Sequence, residues 1–332
     1  MRTYLIKRVA TAFAVLLVVM SIQFFLFQVA SPIDPASLFV DPSWTKEQID
    51  LIRKQWGLED KNYFARYLTY MKNMLTWNYG ISFWTGRSVN EEMVWRLRNT
   101  IILLGTALLG VIVVGISLGI LAASRRGRKT DVIIMGTALV TFGIPTFFIQ
   151  LIFIYFLAYY LPYHFNIRIF PMPGGLVGGV PTGNVLELAA EIMWHAALPV
   201  ITIVVSGFGS WALYTRNMMI DALTEDFITT ARAQGFSERI VLFRHAFKSI
   251  LPPIATMITL AIPGIVTGAI ITEYLFSWPG IGRWYIDALM KGDYPVVQAV
   301  MYQYSVIMIS CNLIADLIYG FLDPRIRVGM RR

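Results

Sequence analysis

Six long stretches without Asp, Glu, Lys or Arg dominate the pattern of apolar and polar positions along the chain. Each is longer than the roughly 20 residues that a helix needs to cross the hydrocarbon core of a bilayer. The pattern therefore predicts an all-α, polytopic membrane protein with six transmembrane helices. The predicted spans are Val9–Ile33, Asn99–Ser124, Val132–Ile167, Ile192–Thr215, Ser249–Thr272 and Tyr294–Ala315.

The charged residues are distributed unequally between the two sides of the predicted membrane. Six spans place both termini on one side, and the segments on that side hold 16 Lys and Arg against 6 Asp and Glu. Because short cytoplasmic segments are enriched in Lys and Arg, we expect both termini to be cytoplasmic. The net charge of +8 follows from this topology, so nucleic-acid binding is not needed to explain it.

The polar segments divide the chain into three parts. Residues 1–33 form a cytoplasmic start and the first span, residues 34–98 an extracytoplasmic helical cap, and residues 99–332 a core of five spans that includes a cytoplasmic loop at 216–251. Within the cap, apolar spacing predicts helices at Thr45–Trp56 and Tyr63–Leu75.

Small and polar residues mark three features inside the spans. Gly115 and Gly119 form a small-xxx-small pair that favours close helix packing, and Pro145 predicts a kink in the third span. In the fifth span, hydroxyl side chains recur at three- or four-residue intervals or multiples of them, which suits either a polar translocation path or ordinary hydrogen bonding between helices. These hydroxyls belong to Thr256, Thr259 and Thr267.

The residues that enzymes use are scattered. The three histidines, His164, His195 and His245, are far apart, Cys311 is the single cysteine, and no Walker A sequence is present. We therefore expect neither a catalytic site nor a metal site, and no hydrolysis of ATP by this chain. An ATP-independent channel or secondary transporter is the alternative class. A secondary transporter usually needs ionisable groups near the middle of the membrane, whereas the nearest acid, Asp316, directly follows the last predicted span at its cytoplasmic end.

The 216–251 loop has the pattern of two short helices. Asp221–Ala233 has amphipathic spacing, Gly235 suits a left-handed turn, and Ser237 suits the cap of a second helix. Leu223, Phe227 and Ala231 form a stripe that would fit a groove in a partner protein. An amphipathic hairpin lying on the lipid surface is the alternative.

Several separated motifs resemble one family. Thr230–Gly235 reads Thr-Ala-Arg-Ala-Gln-Gly and His245-Ala246 precedes Pro253, wording similar to that of inner-membrane permeases of ATP-binding-cassette (ABC) importers, in the dipeptide, oligopeptide and nickel branch. A glutamate of the wider family is absent before Ala231, and Ile33 replaces a glycine. The other matching segments are Ser31–Ala36, Gly57-Leu58, Gly80–Ser82, Phe276–Gly282, Asp293–Gln298 and Leu322–Arg327.

The resemblance implies a type I ABC importer permease fold and a set of partners. These are a homologous, non-identical second permease, two cytoplasmic ATPases that carry ATP and Mg, and an extracytoplasmic binding protein. The substrate it implies is an oligopeptide, with an oligosaccharide or a nickel complex as alternatives.

The resemblance also implies roles for particular residues. One group docks the ATPase: Asp221, Thr230, Ala231, Arg232, Gly235, Phe236, Ser237 and Arg239. A second group forms an outer gate or contacts the binding protein: Phe276, Trp278, Pro279 and Gly280. The alternative for this loop is an aromatic anchor at the membrane interface.

Overall fold

The structure is a computed structural model that describes residues 2–29, 45, 47, 62–174, 185–261 and 270–322. Within these ranges the chain is almost entirely helical, and its only β-type pairing is an isolated bridge between Ile81 and Ser88. The predicted helix Thr45–Trp56, the motif Ser31–Ala36 and Thr267 lie outside the described residues, apart from Thr45 and Glu47. The all-α fold class is confirmed.

The helices, numbered along the chain, have the following bounds. They are α1 Arg2–Phe24, α2 Tyr63–Leu75, α3 Val89–Ser124, α4 Lys129–Gly143, α5 Thr146–Phe153, α6 Leu161–Phe165, α7 Val185–Leu223, α8 Asp226–Ala233, α9 Glu238–Ile240, α10 Phe247–Ala261, α11 Ile270–Leu275, α12 Ile281–Lys291 and α13 Tyr294–Leu322. Three stretches have π-helical hydrogen bonding: Phe25–Val29 continues α1, Ile154–Tyr160 joins α5 to α6, and Val241–Ala246 joins α9 to α10.

Five helical stretches among the described residues are long and apolar enough to cross a membrane. They correspond to the first, second, third, fourth and sixth predicted spans. The fifth predicted span includes residues 262–269, outside the described ranges, and its described parts are α10 and α11. The five stretches are Ile6–Val29, Val89–Ser124, Thr146–Phe165, Leu186–Leu223 and Tyr294–Ile314.

The predicted kink at Pro145 is a complete break between helices. Helix α4 ends at Gly143, and Ile144 has an extended backbone with φ −90° and ψ 130° before α5 begins at Thr146. The proline ring clashes with a helical residue before it, which explains the extended conformation of Ile144.

The contacts divide the chain into two compact units, and their boundaries differ from those of the predicted parts. The first unit comprises residues 1–100, 266–270 and 279–332. Its apolar core joins α1, α2, the start of α3, α12 and α13, with Met20, Tyr70, Ile281 and Val296 among the fully buried or nearly buried side chains. The predicted helix Tyr63–Leu75 is confirmed as α2.

The second unit comprises residues 101–265 and 271–278. Helix α7 is its centre, because α4, α5 and α10 all pack against it. Helix α3 also approaches α7 closely at the small-xxx-small pair. A Cβ atom added to Gly115 would lie 2.4 Å from the Trp211 Cβ, and one added to Gly119 would lie 2.6 Å from the Thr215 Cβ. The predicted close packing is therefore confirmed.

Candidate functional site

The polar segment after α7 folds as a helical hairpin, which we call the hairpin and define as residues 224–246. Its first helix, α8, is separate from α7. The N–H and hydroxyl of Thr224 both donate to the Asp221 carbonyl, at 3.1 and 2.7 Å, and Glu225 is extended before α8 starts at Asp226. The prediction of one helix over Asp221–Ala233 is therefore wrong, because the Thr224 hydroxyl closes α7 with a local turn. Asp221 belongs to the end of α7.

Gly235 forms the turn between the two helices of the hairpin, as predicted. Its φ of +82° is left-handed. The Gly235 N–H donates to the Arg232 carbonyl at 3.0 Å, and the Phe236 N–H donates to the Ala231 carbonyl at 3.4 Å. This pair of hydrogen bonds is a Schellman motif, which satisfies the last carbonyls of α8.

Ser237 occupies the predicted cap position before α9, but its side chain makes no capping hydrogen bond. A different pair spans the turn instead: the Arg232 guanidinium donates to both carboxylate oxygens of Glu238, at 2.9 and 3.3 Å. Both side chains are exposed, so this ion pair adds little stability but fixes the position of the Arg232 group.

The inner face of α8 is buried within the chain itself. Ile228 is fully buried and Ala231 is 3% exposed, and both belong to one apolar cluster with Met219 of α7, Val241 and Ile250. Ala231 therefore faces inward, and the predicted stripe of Leu223, Phe227 and Ala231 does not form one exposed surface. The buried face of α8 therefore shares one apolar core with side chains of α7 and α10.

The outer face of the hairpin carries exposed apolar side chains. Their exposed fractions range from 38% to 50%, which is unusual for large apolar residues that cluster in a polar segment. Of the four, Phe236 is among the predicted docking residues and Phe227 belongs to the predicted stripe. Sequence reasoning missed Ile240 and Phe243, which are three residues apart in the second helical part of the hairpin. The four residues are Phe227, Phe236, Ile240 and Phe243.

A shallow cleft lies beside Phe227. It has a volume of about 360 Å³, and Arg244, His245, Lys248 and Ser249 complete its lining. The Phe236 ring packs on the His245 ring with centroids 5.4 Å apart. This side of the hairpin thus combines apolar and cationic groups, a composition suited to a protein partner.

An ion pair joins α7 to α4 about two turns before the hairpin begins. Arg216 of α7 donates to both carboxylate oxygens of Asp131 in α4, at 2.6 and 2.7 Å, and the Gly127 N–H donates to Asp131 at 2.9 Å. The hydrogen bonds from Arg216 are the largest cause that holds the pKa of Asp131 below its usual value. Sequence reasoning missed this pair because the residues are 85 positions apart.

The structure places the four residues of the predicted outer gate in two groups. Phe276 and Trp278 belong to the second unit and are buried, and Phe276 packs with Ala158 and Leu198. In the first unit, the Pro279 carbonyl accepts from Asn99 at 3.0 Å, and Gly280 precedes α12. Trp278 is only 3% exposed, and the gate role stays a prediction.

The two predicted path residues among the described ones lie on α10. Thr256 and Thr259 are half-buried. The Thr259 hydroxyl donates to the Ala255 carbonyl of its own helix at 2.9 Å. Because this bond lies within α10, it favours neither a polar translocation path nor hydrogen bonding between helices.

Comparisons with known proteins agree with the architecture. Residues 115–328 match the family described as "Binding-protein-dependent transport system inner membrane component", and residues 1–103 match the N-terminal model of that type of protein. Among similar proteins, the oligopeptide transport system permease protein AppB of Bacillus subtilis is 33% identical over 98% of this chain and 99% of its own length. A probable peptide ABC transporter permease protein of Sinorhizobium fredii is 32% identical over 98% of this chain and 100% of its own length. The glutathione transport system permease protein GsiC of Escherichia coli K12 is 31% identical over 98% of this chain and 99% of its own length.

Proposed function

The chain belongs to the inner-membrane permeases of binding-protein-dependent ABC importers, in their peptide and nickel branch, and on this premise we propose that it carries oligopeptides inward by ATP-driven alternating access. It forms the passage together with a homologous, non-identical second permease. Two ATPase subunits bind ATP and Mg on the cytoplasmic face, and a binding protein delivers substrate on the outer face.

The packing of the hairpin is the observation that carries the mechanism. Ile228 and Ala231 fix α8 to α7 and α10, while Phe227 stands outside this core. An ATPase that holds Phe227 and the neighbouring cationic cleft therefore moves α7 and α10 as one body. Rigid-body motion of this kind is a common way to switch a packed helical protein between two states.

Peptide is the substrate class that the relatives favour. The printed names of the three relatives refer to oligopeptide, peptide and glutathione transport. Among the described residues there is no group of three or more His, Cys, Asp or Glu side chains that would hold a metal ion, which makes a nickel complex the weaker alternative. An oligosaccharide stays the second alternative.

The docking role of the hairpin is tested in the assembled importer with two substitutions of one residue. Phe227→Asp places a charge in the apolar contact, and we expect at least about a tenfold loss of ATPase retained by a tagged chain, because desolvated interface anchors contribute 2 kcal/mol or more. Phe227→Leu keeps an apolar side chain and should retain most of the binding. Equal ATPase retention in both variants would place the docking site elsewhere.

Function is tested in proteoliposomes that contain the complete importer. Uptake of a labelled peptide should require ATP and the binding protein, and unlabelled peptides should compete better than oligosaccharides or nickel salts. If uptake survives ATP depletion and no ATPase co-purifies, the chain works as a channel or secondary transporter instead.

A further inference from the structure

A second and larger cleft at the hairpin shares no lining residue with the cleft beside Phe227. Its volume is about 510 Å³, and it lies where α3 and α7 end. Apolar side chains, including Ile220 and Leu223, form part of its lining, and charged side chains from two distant parts of the sequence complete it. The charged residues are Arg125, Arg126, Arg128, Arg232, Glu238 and Arg239.

Three of the arginines belong to a short and well-defined turn between α3 and α4. Gly127 has a left-handed φ of +74°, and its N–H donates to Asp131 at 2.9 Å. The Arg128 N–H donates to the Arg125 carbonyl at 2.9 Å. Because Asp131 is itself held by Arg216, the turn is tied to α7, which also forms part of the cleft.

The lining residues of the cleft carry a net positive charge. They include five arginines and one carboxylate, and that carboxylate, Glu238, is already paired with Arg232. The preference for Lys and Arg on the cytoplasmic side explains the sign of these charges. It does not explain why residues more than 100 positions apart converge on one concave surface, where like charges repel each other.

We propose that this cleft is a binding site for a phosphate-bearing anion, which bridges the arginine turn 125–128 and Arg239 of the hairpin. Guanidinium groups bind phosphate oxygens in a bidentate geometry that several arginines around one cavity can satisfy together. The volume lies within the range of roughly 300–1,000 Å³ that is usual for small-molecule sites. The bound anion stabilises the position of α8 and α9 relative to α3 and α7.

The position of the cleft allows two sources for the phosphate group. Ile220 and Leu223 follow Thr215, the end of the predicted fourth span, by five and eight residues, or roughly 8 and 12 Å along a helix. The headgroup layer extends roughly 5–8 Å beyond the hydrocarbon core. The cleft is therefore close to the headgroups and also open to dissolved anions.

The two sources are tested separately with the full chain in nanodiscs. In the first arm the nanodisc contains only phosphatidylcholine, and binding of labelled pyrophosphate is measured by equilibrium dialysis. In the second arm the lipid is a mixture with phosphatidylglycerol, and retained phosphatidylglycerol is counted by native mass spectrometry. We expect the wild-type chain to bind in at least one arm, with affinity that falls as salt increases.

A matched pair of double variants shows whether the cleft is responsible. Arg126→Gln with Arg239→Gln removes two charges from the cleft, and binding should weaken at least about tenfold, since hydrogen bonds between guanidinium groups and phosphate are charge-assisted and stronger than neutral ones. Arg244→Gln with Lys248→Gln removes two charges from the cleft beside Phe227 and should change binding less than about twofold. All four positions are at the surface, and circular dichroism verifies that both variants are folded.

Two results overturn the proposal. One is a wild-type chain that binds neither pyrophosphate nor phosphatidylglycerol. The other is equal weakening in the two double variants, which would show that the whole basic surface attracts anions without a defined site. This outcome does not depend on the transported substrate or on the ATPases, which are absent from the experiment.

Discussion

At the scale of single residues, backbone geometry is the property that the sequence predicts best. The left-handed turn at Gly235 is confirmed. It was predictable because glycine, which has no Cβ atom, is the residue that most often ends a helix in this conformation. Burial is harder to predict. Ala231 looks exposed in an amphipathic pattern but is 3% exposed, because the residues that cover it come from α7 and from the segment after the turn.

A substitution at Gly235 separates backbone geometry from steric fit. Nothing lies within 4 Å of a Cβ atom added there, so Gly235→Ala introduces no clash and acts only through its φ of +82°. The left-handed conformation costs a non-glycine residue about 1–2 kcal/mol. We expect weaker stimulation of ATPase activity by substrate, measured in the assembled importer, while Gln234→Ala at the preceding exposed position leaves it unchanged. Wild-type stimulation in both variants would contradict a mechanical role for the turn.

The buried carboxyl group of Asp293, in the first unit, should make the stability of the chain depend on pH. It accepts hydrogen bonds from the Ser82 hydroxyl and the Phe83 N–H, but burial outweighs them and raises the pKa of its carboxyl. A raised pKa in the folded state gives stability that is present at low pH and is lost as the pH rises through that pKa. In thermal unfolding in detergent, the wild-type chain should therefore lose stability relative to Asp293→Asn as the pH rises above about 4, the ordinary pKa of an aspartate. A difference that stays constant as the pH rises would show that Asp293 does not titrate as inferred.

At the scale of helices, patterns of small residues and prolines are informative, whereas helix ends are not. The glycine pair in α3 is found against α7, and Pro145 separates α4 from α5. The break at Thr224 was missed because the apolar spacing continues through it. Pro252 and Pro253 lie inside α10, which starts at Phe247, although proline favours the first turn of a helix.

The contact between α3 and α7 is tested by adding one methyl group. In Gly119→Ala the new Cβ would lie 2.6 Å from the Thr215 Cβ and 2.7 Å from the Ala212 carbonyl oxygen, so the helices must separate, at a cost of about 1–3 kcal/mol. Gly105→Ala is the matched control, because nothing lies within 4 Å of its added Cβ. We expect a lower unfolding temperature in detergent for the first variant only. Equal unfolding temperatures for the two variants would mean that α3 and α7 are not in this close contact in the membrane.

At the scale of the whole molecule, the structure explains why separated motifs occur together in one family. Ser82 belongs to the motif Gly80–Ser82 and Asp293 to the motif Asp293–Gln298, and the two side chains are hydrogen-bonded across 211 positions. The sequence shows that both motifs are present but not that they meet. Their contact depends on the packing of the first unit, which local patterns do not encode.

The topology of the chain depends on how many times it crosses the membrane between the predicted extracytoplasmic cap, residues 34–98, and the hairpin. Three span-length helical stretches lie between Thr85 and Gln234: Val89–Ser124, Thr146–Phe165 and Leu186–Leu223. Helix α4 has only 15 residues, about 22 Å, which is too short to cross the hydrocarbon core alone. An odd number of crossings places Thr85 and Gln234 on opposite sides.

Labelling of introduced cysteines tests this count directly. After Cys311→Ser removes the native thiol, a membrane-impermeant maleimide should label Thr85→Cys in intact spheroplasts and Gln234→Cys only in inverted vesicles, because both positions are exposed. The opposite pattern would reverse the orientation inferred from the Lys and Arg distribution while keeping the count. Labelling of both residues from one side would require an even number of crossings. Helix α4 would then be a separate crossing, and the hairpin would lie on the same side of the membrane as the cap.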